Sequence, residues 1–130
     1  MSGYNSRIRE FYFLTMHDYC NMLILSGHIS DAMLEARAMS SMAAGAGSNL
    51  GQMYAHRVIG LIQSFRSNAE LAIYNFKQAA EYSVRAKEEQ ELPVIYNLIA
   101  REYIKLGKYD EVEHYCSMAE EFQDFYPSHL

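Results

Sequence analysis

Residues 25–32 read LSGHISDA, and the same pattern returns 40 residues later as FRSNAELA at 65–72 and again as KLGKYDEV at 105–112. Each segment closes an apolar run, passes through a short polar turn and places a small apolar residue in the next run. The register extends in both directions, so that Cys20, Gly60 and Ala100 align, as do Met39, Ala79 and Ala119. A repeat of roughly 20–50 residues is typical of stacked helical hairpins, which offer a long surface for holding another protein.

The apolar residues between these turns predict an all-α fold of six helices, in three stacked antiparallel hairpins. We expect a single domain, 1–130, with units at about 5–45, 49–88 and 92–126. Gly27 is expected to end the first helix, because glycine enters the left-handed conformation cheaply. Ser30 or Asp31 is expected to cap the second helix and Ser48 or Asn49 the third, whereas the position of Pro93 suits the first turn of the fifth.

Small residues recur where two helices of a hairpin are expected to cross. Helices approach to about 8–10 Å only if the crossing point is uncrowded. The two halves of that crossing are predicted to be Cys20, Gly60 and Ala100 on one side and Ala32, Ala72 and Val112 on the other. Tyr12, Tyr96 and Phe76 are expected to fill wider gaps between layers. The apolar face of the first helix is predicted from three- and four-residue spacing as Ile8, Phe11, Tyr12, Met16, Tyr19, Cys20 and Leu23.

Composition excludes several classes of protein. The 130 residues carry a formal charge of −5 and a pI near 5.5, which argues against nucleic-acid binding, since that requires a basic surface. No run of about 18 apolar residues is present to span a membrane, and no charged-then-apolar leader is apparent at the start. The expected compartment is the cytoplasm.

The residues that carry chemistry do not form a recognisable catalytic or metal-binding motif. Cys20 and Cys116 are expected to be buried and reduced, because the repeat register gives both thiols packing roles. His17 lies one turn from Cys20 and His114 two residues before Cys116, but zinc needs four converging ligands. We therefore predict no enzyme activity, no metal and no cofactor; an enzyme would require a solvent-reactive cysteine. The acidic run 88–91 is interpreted as a solvated turn.

The third unit resembles the tetratricopeptide repeat, through Tyr96, Ile99, Ala100, Tyr103, Gly107, Tyr109, Val112 and Ala119. The second unit keeps Gly60, Ala72, Phe76 and Ala79 but has His56 and Gln63 where aromatic residues are usual in that family. The first unit is the weakest copy. The family period is about 34, so a period of 40 implies longer second helices or longer turns. Periods near 40 occur in repeat domains of bacterial regulators and of secretion chaperones, which the chain resembles, and also in other helical-repeat families.

The resemblance implies that the first helix of each hairpin lines a concave groove. The corresponding positions are His17, Asn21, Ile24 and Leu25 in the first unit, Tyr54, Arg57, Leu61 and Phe65 in the second, and Asn97, Arg101, Ile104 and Lys105 in the third. Basic and amide side chains beside apolar ones suit an acidic or carboxylate-bearing segment. The alternative interpretation is that these are ordinary surface residues of a helix.

The functional hypothesis is a protein-protein interaction module: a small cytoplasmic adaptor or chaperone that holds a helical or extended segment of a partner protein. The alternative is a peptide- or ligand-sensing regulatory domain of a bacterial transcription regulator. A further expectation concerns the terminal helices, which offer more apolar surface than one neighbour covers, through Tyr4, Phe11, Phe13, Met118, Phe125 and Tyr126. Such surface predicts self-association or a partner packed on a terminal helix.

Overall fold

The computed structural model describes the backbone of residues 2–125 and the side chains of residues 7–122. Within that range the chain is all-α, contains no strand and confirms the predicted fold class. The six helices are α1 (Ser2–Leu25), α2 (Ile29–Ala46), α3 (Asn49–Phe65), α4 (Ala69–Arg85), α5 (Leu92–Lys105) and α6 (Tyr109–Phe125). A short 3-10 turn, Glu89–Glu91, precedes α5. Tyr126 and the side chains of Tyr4 and Phe125, named above as terminal apolar surface, lie outside the described residues.

Five of the six helices are followed by a residue with left-handed backbone, and these residues are spaced 20 apart: Gly27 (φ 83°), Gly47 (φ 65°), Ser67 (φ 62°), Lys87 (φ 58°) and Gly107 (φ 71°). At each one, the N–H of the following residue donates to the carbonyl oxygen five positions back, at 2.8 to 3.0 Å. This is the Schellman arrangement, which satisfies carbonyl groups at the end of a helix. The 40-residue repeat of the sequence is thus built from two structural halves of 20 residues.

The residue that closes one helix also begins the next. His28, Ser48 and Asn68 each follow a left-handed residue and each is the N-cap of the helix after it. Ser48 Oγ accepts a hydrogen bond from the Gly51 N–H at 3.0 Å, which confirms the predicted cap of α3. The prediction that Ser30 or Asp31 caps α2 was wrong, because the Schellman turn fixes the backbone early and α2 already begins at Ile29.

Each helix packs against the next one in the chain, and α1 also packs against α3. The residues predicted at the hairpin crossings are buried, with Val112 partly so. Gly60 on α3 is the most tightly enclosed of the described glycines, because a Cβ atom there would lie 2.5 Å from Cε1 of the buried Phe76 on α4. The small residue at this position is therefore a requirement of the α3–α4 contact.

Four burial predictions at the ends of the stack were wrong. Tyr12 is exposed, whereas Phe13, which was expected to add uncovered apolar surface to the first helix, is buried with 2% of its surface accessible. The buried side of α1 consists of Phe13, Met16, His17, Cys20 and Ile24, so the predicted apolar face was rotated toward solvent. Cys116 is exposed, whereas Cys20 is buried as predicted. The common cause is position, because α1 and α6 are the first and last helices and each has a side that no other described helix covers.

Substitution of Gly60 tests the α3–α4 contact. Gly60→Ala is expected to lower the free energy of unfolding by about 1–3 kcal/mol, because the new methyl group overlaps the immobile Phe76 ring. Gly45→Ala is the matched control, since Gly45 is also helical and a Cβ there meets no atom within 4 Å. The control is expected to raise the free energy of unfolding by up to about 1 kcal/mol, because alanine has the higher helix propensity. Equal effects of the two changes in urea denaturation would contradict this packing.

Candidate functional site

Side-chain contacts join α1 to α3 and α3 to α5, and we call the surface that these three helices present the odd-helix face. The rings of His17 on α1 and Tyr54 on α3 are 4.7 Å apart between centroids. Further along, Ser64 Oγ on α3 donates to Glu102 Oε2 on α5 at 2.8 Å. All of the predicted groove residues lie on α1, α3 and α5. The individual residues differ in how accessible they are to solvent.

At the α1–α3 end of the face, His17 and Tyr54 are both buried and join the two helices. Burial lowers the pKa of His17, and the positive charge of Arg57 lowers it further. Burial likewise raises the pKa of Tyr54. Asn21 Nδ2 lies 3.5 Å from His17 Nε2, while the buried Asn21 Oδ1 accepts no hydrogen bond from any described residue. His17 and Tyr54 therefore offer a partner little surface, and their main role here is to fix the helices.

Arg57 is occupied by an internal carboxylate. Its Nη1 atom donates to Glu91 Oε1 at 2.7 Å, and both side chains are largely shielded from solvent. The pair ties α3 to the acidic turn that precedes α5. The interpretation of residues 88–91 as a solvated turn was therefore wrong for Glu91, whose charge is used inside the fold. An ion pair between residues 34 apart in sequence leaves no local pattern by which it could be predicted.

A second polar cluster links α3 to the end of α5. Glu102 is buried, and its carboxylate accepts from Ser64 Oγ and from Lys105 Nζ, the latter at 3.0 Å. Lys105 Nζ also donates to Ser64 Oγ at 2.7 Å. A buried carboxylate is stable only when it is paired and hydrogen-bonded in this way. Neither Ser64 nor Glu102 was predicted as part of the site. Glu102 directly follows the predicted Arg101, but a glutamate in the sequence does not indicate a buried side chain.

The accessible groove residues lie toward the carboxyl ends of their helices. Phe65 is 60% exposed and Ile104 52% exposed, so large apolar side chains meet solvent at this end of α3 and α5. Arg101 is exposed and makes no ion pair with another described residue. Of the remaining predicted positions, Ile24 is buried and Leu61 is half-buried. The exposed ones are Leu25, Asn97 and Lys105.

An apolar depression that the sequence did not predict lies at the opposite end of the odd-helix face. Phe11, Leu14, Leu50 and Tyr54 line a shallow cavity of about 330 Å³ between α1 and α3, with Arg7 and Glu10 at its edge. Leu14 precedes His17 by three residues and so shares its side of α1. The three-residue spacing from His17 could have indicated Leu14. It was not predicted because Leu14 carries no polar group.

Charge is divided unevenly between the two sets of helices. The odd-numbered helices carry five basic and three acidic residues, and one of these acidic residues is the buried Glu102. The even-numbered helices carry three basic and ten acidic residues. The odd-helix face is therefore the least acidic side of a protein whose formal charge is −5.

Within residues 7–122, no group of three or more His, Cys, Asp and Glu side chains is placed to hold a metal ion. None of the described helices has the length and apolar character needed to cross a membrane. No protein-family model matches the chain, and no curated protein or solved structure gives a significant match. The function must therefore be argued from the face itself.

The two thiols are expected to differ in reactivity. Burial raises the pKa of Cys20 to about 11, so that its thiolate is scarce at neutral pH, whereas Cys116 is exposed. A thiol reagent should modify one cysteine in the native protein and the second only after unfolding, as read by mass spectrometry. Cys116→Ser should leave no fast-reacting thiol. Rapid native modification of Cys20 would contradict the burial described here and would reopen the enzyme interpretation.

Proposed function

We propose that this chain is a protein-protein interaction module of the tetratricopeptide-like kind, a small cytoplasmic adaptor or chaperone. In this proposal the odd-helix face holds a helical or extended segment of a partner protein. The stacking of adjacent helices is compatible with a helical repeat. Such stacks present a long surface formed by successive units, and they lack a built-in catalytic centre.

The observation that carries the proposal is the pairing of exposed apolar and basic groups at the carboxyl ends of α3 and α5. Phe65 and Ile104 are exposed there, together with the basic Arg101, whereas the neighbouring Lys105 is paired with Glu102. Large apolar side chains supply contact energy, while basic groups orient a carboxylate through charge-assisted hydrogen bonds. Together with the charge division between odd and even helices, this favours an acidic segment that carries apolar anchor residues.

In this proposal Arg57 stabilises the fold and does not contact the partner, although the sequence suggested that it lines the groove. Because Glu91 already occupies its guanidinium group, Arg57 supports the position of α5 relative to α3. Arg101 is then the main polar contact for a partner, and Phe65 the main apolar one. Charge reversal at Arg57 would place two carboxylates together and disturb the fold, so it is unsuitable as a test of binding.

A defined peptide pair tests the proposal. A fluorescent amphipathic peptide of Glu and Leu and its Lys counterpart are titrated with the protein and followed by anisotropy. We expect the acidic peptide to bind and the basic one not to bind. Arg101→Glu and Phe65→Ala should each weaken binding by roughly tenfold, with unchanged thermal melting.

The matched control is Arg37→Glu, which reverses an exposed charge on α2, outside the odd-helix face. It should leave peptide affinity within about twofold, apart from the general effect of net charge. Binding that survives both changes on the odd-helix face and is lost with Arg37→Glu would overturn the assignment of this surface.

A further inference from the structure

The outer side of α1 carries a stripe that none of the described helices covers. Its members are spaced alternately four and three residues apart and all are exposed: Ile8, Tyr12, Thr15, Tyr19, Met22 and Ser26, the last of which lies in the turn just after α1. This spacing is the a/d pattern of a two-stranded coiled coil, and the stripe contains no charged residue. We call it the α1 stripe. It is separate from the buried side of α1, which packs on α2 and α3.

One edge of the α1 stripe carries a second regular feature. Phe11, Asp18 and Leu25 follow one another at intervals of seven and therefore lie in a row along the helix. Leu25 is 84% exposed and Phe11 73% exposed, the highest values among the large apolar side chains described. The two apolar residues stand at equal distances on either side of Asp18, so the row is nearly symmetrical about its centre.

This symmetry and the distribution of charge point to one occupant. We propose that α1 pairs with α1 of a second copy of this chain, in antiparallel orientation about a two-fold axis near residue 17. The proposal shares Phe11 and Leu25 with the α1 edge of the odd-helix face, but it does not depend on the ligand proposed for that face.

Antiparallel pairing matches the two stripes along their whole length. Tyr12 then faces Met22 of the second copy, and Thr15 faces Tyr19 of the second copy. Along the edge, Phe11 lies over Leu25 of the second copy, so the most exposed apolar groups cover each other. A parallel pair would instead set the row of Phe11, Asp18 and Leu25 against the opposite edge of the second helix, so that Phe11 and Leu25 would not cover each other.

Electrostatics favours α1 over the other end of the stack. Helix α1 carries two basic residues, Arg7 and Arg9, and two acidic ones, Glu10 and Asp18, so its net charge is zero. Helix α6 carries six acidic residues and no Lys or Arg. Two copies of a chain with charge −5 therefore meet with the least repulsion through α1, and among the α6 side chains described, up to Phe122, Tyr109 is the one large apolar group that is exposed.

The exposed area is sufficient for a reversible dimer. Six large apolar side chains are involved, namely Ile8, Phe11, Tyr12, Tyr19, Met22 and Leu25, each about half exposed or more. At roughly 100 Å² each, they bring about 600 Å² per copy and about 1,200 Å² in total. That total is at the lower limit of specific interfaces, so we expect dissociation in the micromolar range.

Sedimentation equilibrium across micromolar concentrations tests the association. The unmodified chain should dimerise, and Tyr12→Glu should weaken the dimer by roughly tenfold or more, because a carboxylate enters the contact. Asp18→Asn should strengthen it by about threefold, since the two Asp18 carboxylates approach each other near the axis. The control Leu34→Glu, at an exposed apolar position on α2, should have little effect.

Orientation is tested by cysteine pairing in a Cys116→Ser background. Ile8→Cys and Ser26→Cys proteins are oxidised separately and as a mixture, and disulfide-linked dimers are separated by electrophoresis. The antiparallel pair predicts a linked dimer only in the mixture, because each residue faces the other in the second copy. Linkage within each separate protein would show a parallel pair, and a chain that stays monomeric at 100 µM would overturn the proposal, as would a dimer lost with Leu34→Glu alone.

Discussion

Helix length in this chain is controlled by a left-handed residue at every twentieth position. An L-residue other than glycine adopts this conformation at a cost of roughly 1–2 kcal/mol, so the stop is cheap at Gly27, Gly47 and Gly107 and costly at Ser67 and Lys87. All five nevertheless form the same pair of backbone hydrogen bonds. Because the stops are equally spaced, successive helices end and reverse direction at regular intervals, and the odd-numbered helices end at the same side of the stack.

The candidate site is a consequence of that alignment. Phe65 and Ile104 belong to different helices and yet both lie near a carboxyl end, where the register also places Arg101 and Lys105. Close packing keeps the alignment in place: Gly60 allows α4 to approach α3, and the Arg57–Glu91 pair holds α3 to the start of α5. A face built from three helices can thus hold apolar and basic side chains in fixed positions without a dedicated binding loop.

The sequence was sufficient to predict the helices and the small residues at their crossings, because both follow from a period that is visible in residue type. The half-period of 20 was missed, since Ser67 and Lys87 do not reveal a left-handed backbone by their identity. Exposure at the ends of the stack was also missed: a periodic pattern on α1 or α6 does not tell which side has a neighbour, and so Tyr12 and Cys116 were predicted to be buried. The groove positions were inferred from a family resemblance, and the pairing of Arg57 with Glu91 depends on a tertiary contact that such a resemblance does not contain.

The role of the left-handed stops can be measured directly at two adjacent exposed residues, Arg66 (φ −86°) and Ser67 (φ 62°). Ser67→Gly should raise the free energy of unfolding by about 0.5–1 kcal/mol, because glycine removes the conformational penalty at this stop. Arg66→Gly should lower it by a similar amount, since glycine there only increases the entropy of the unfolded chain. Urea denaturation of both variants measures these changes in the free energy of unfolding. A loss of stability with Ser67→Gly equal to that with Arg66→Gly would contradict the account.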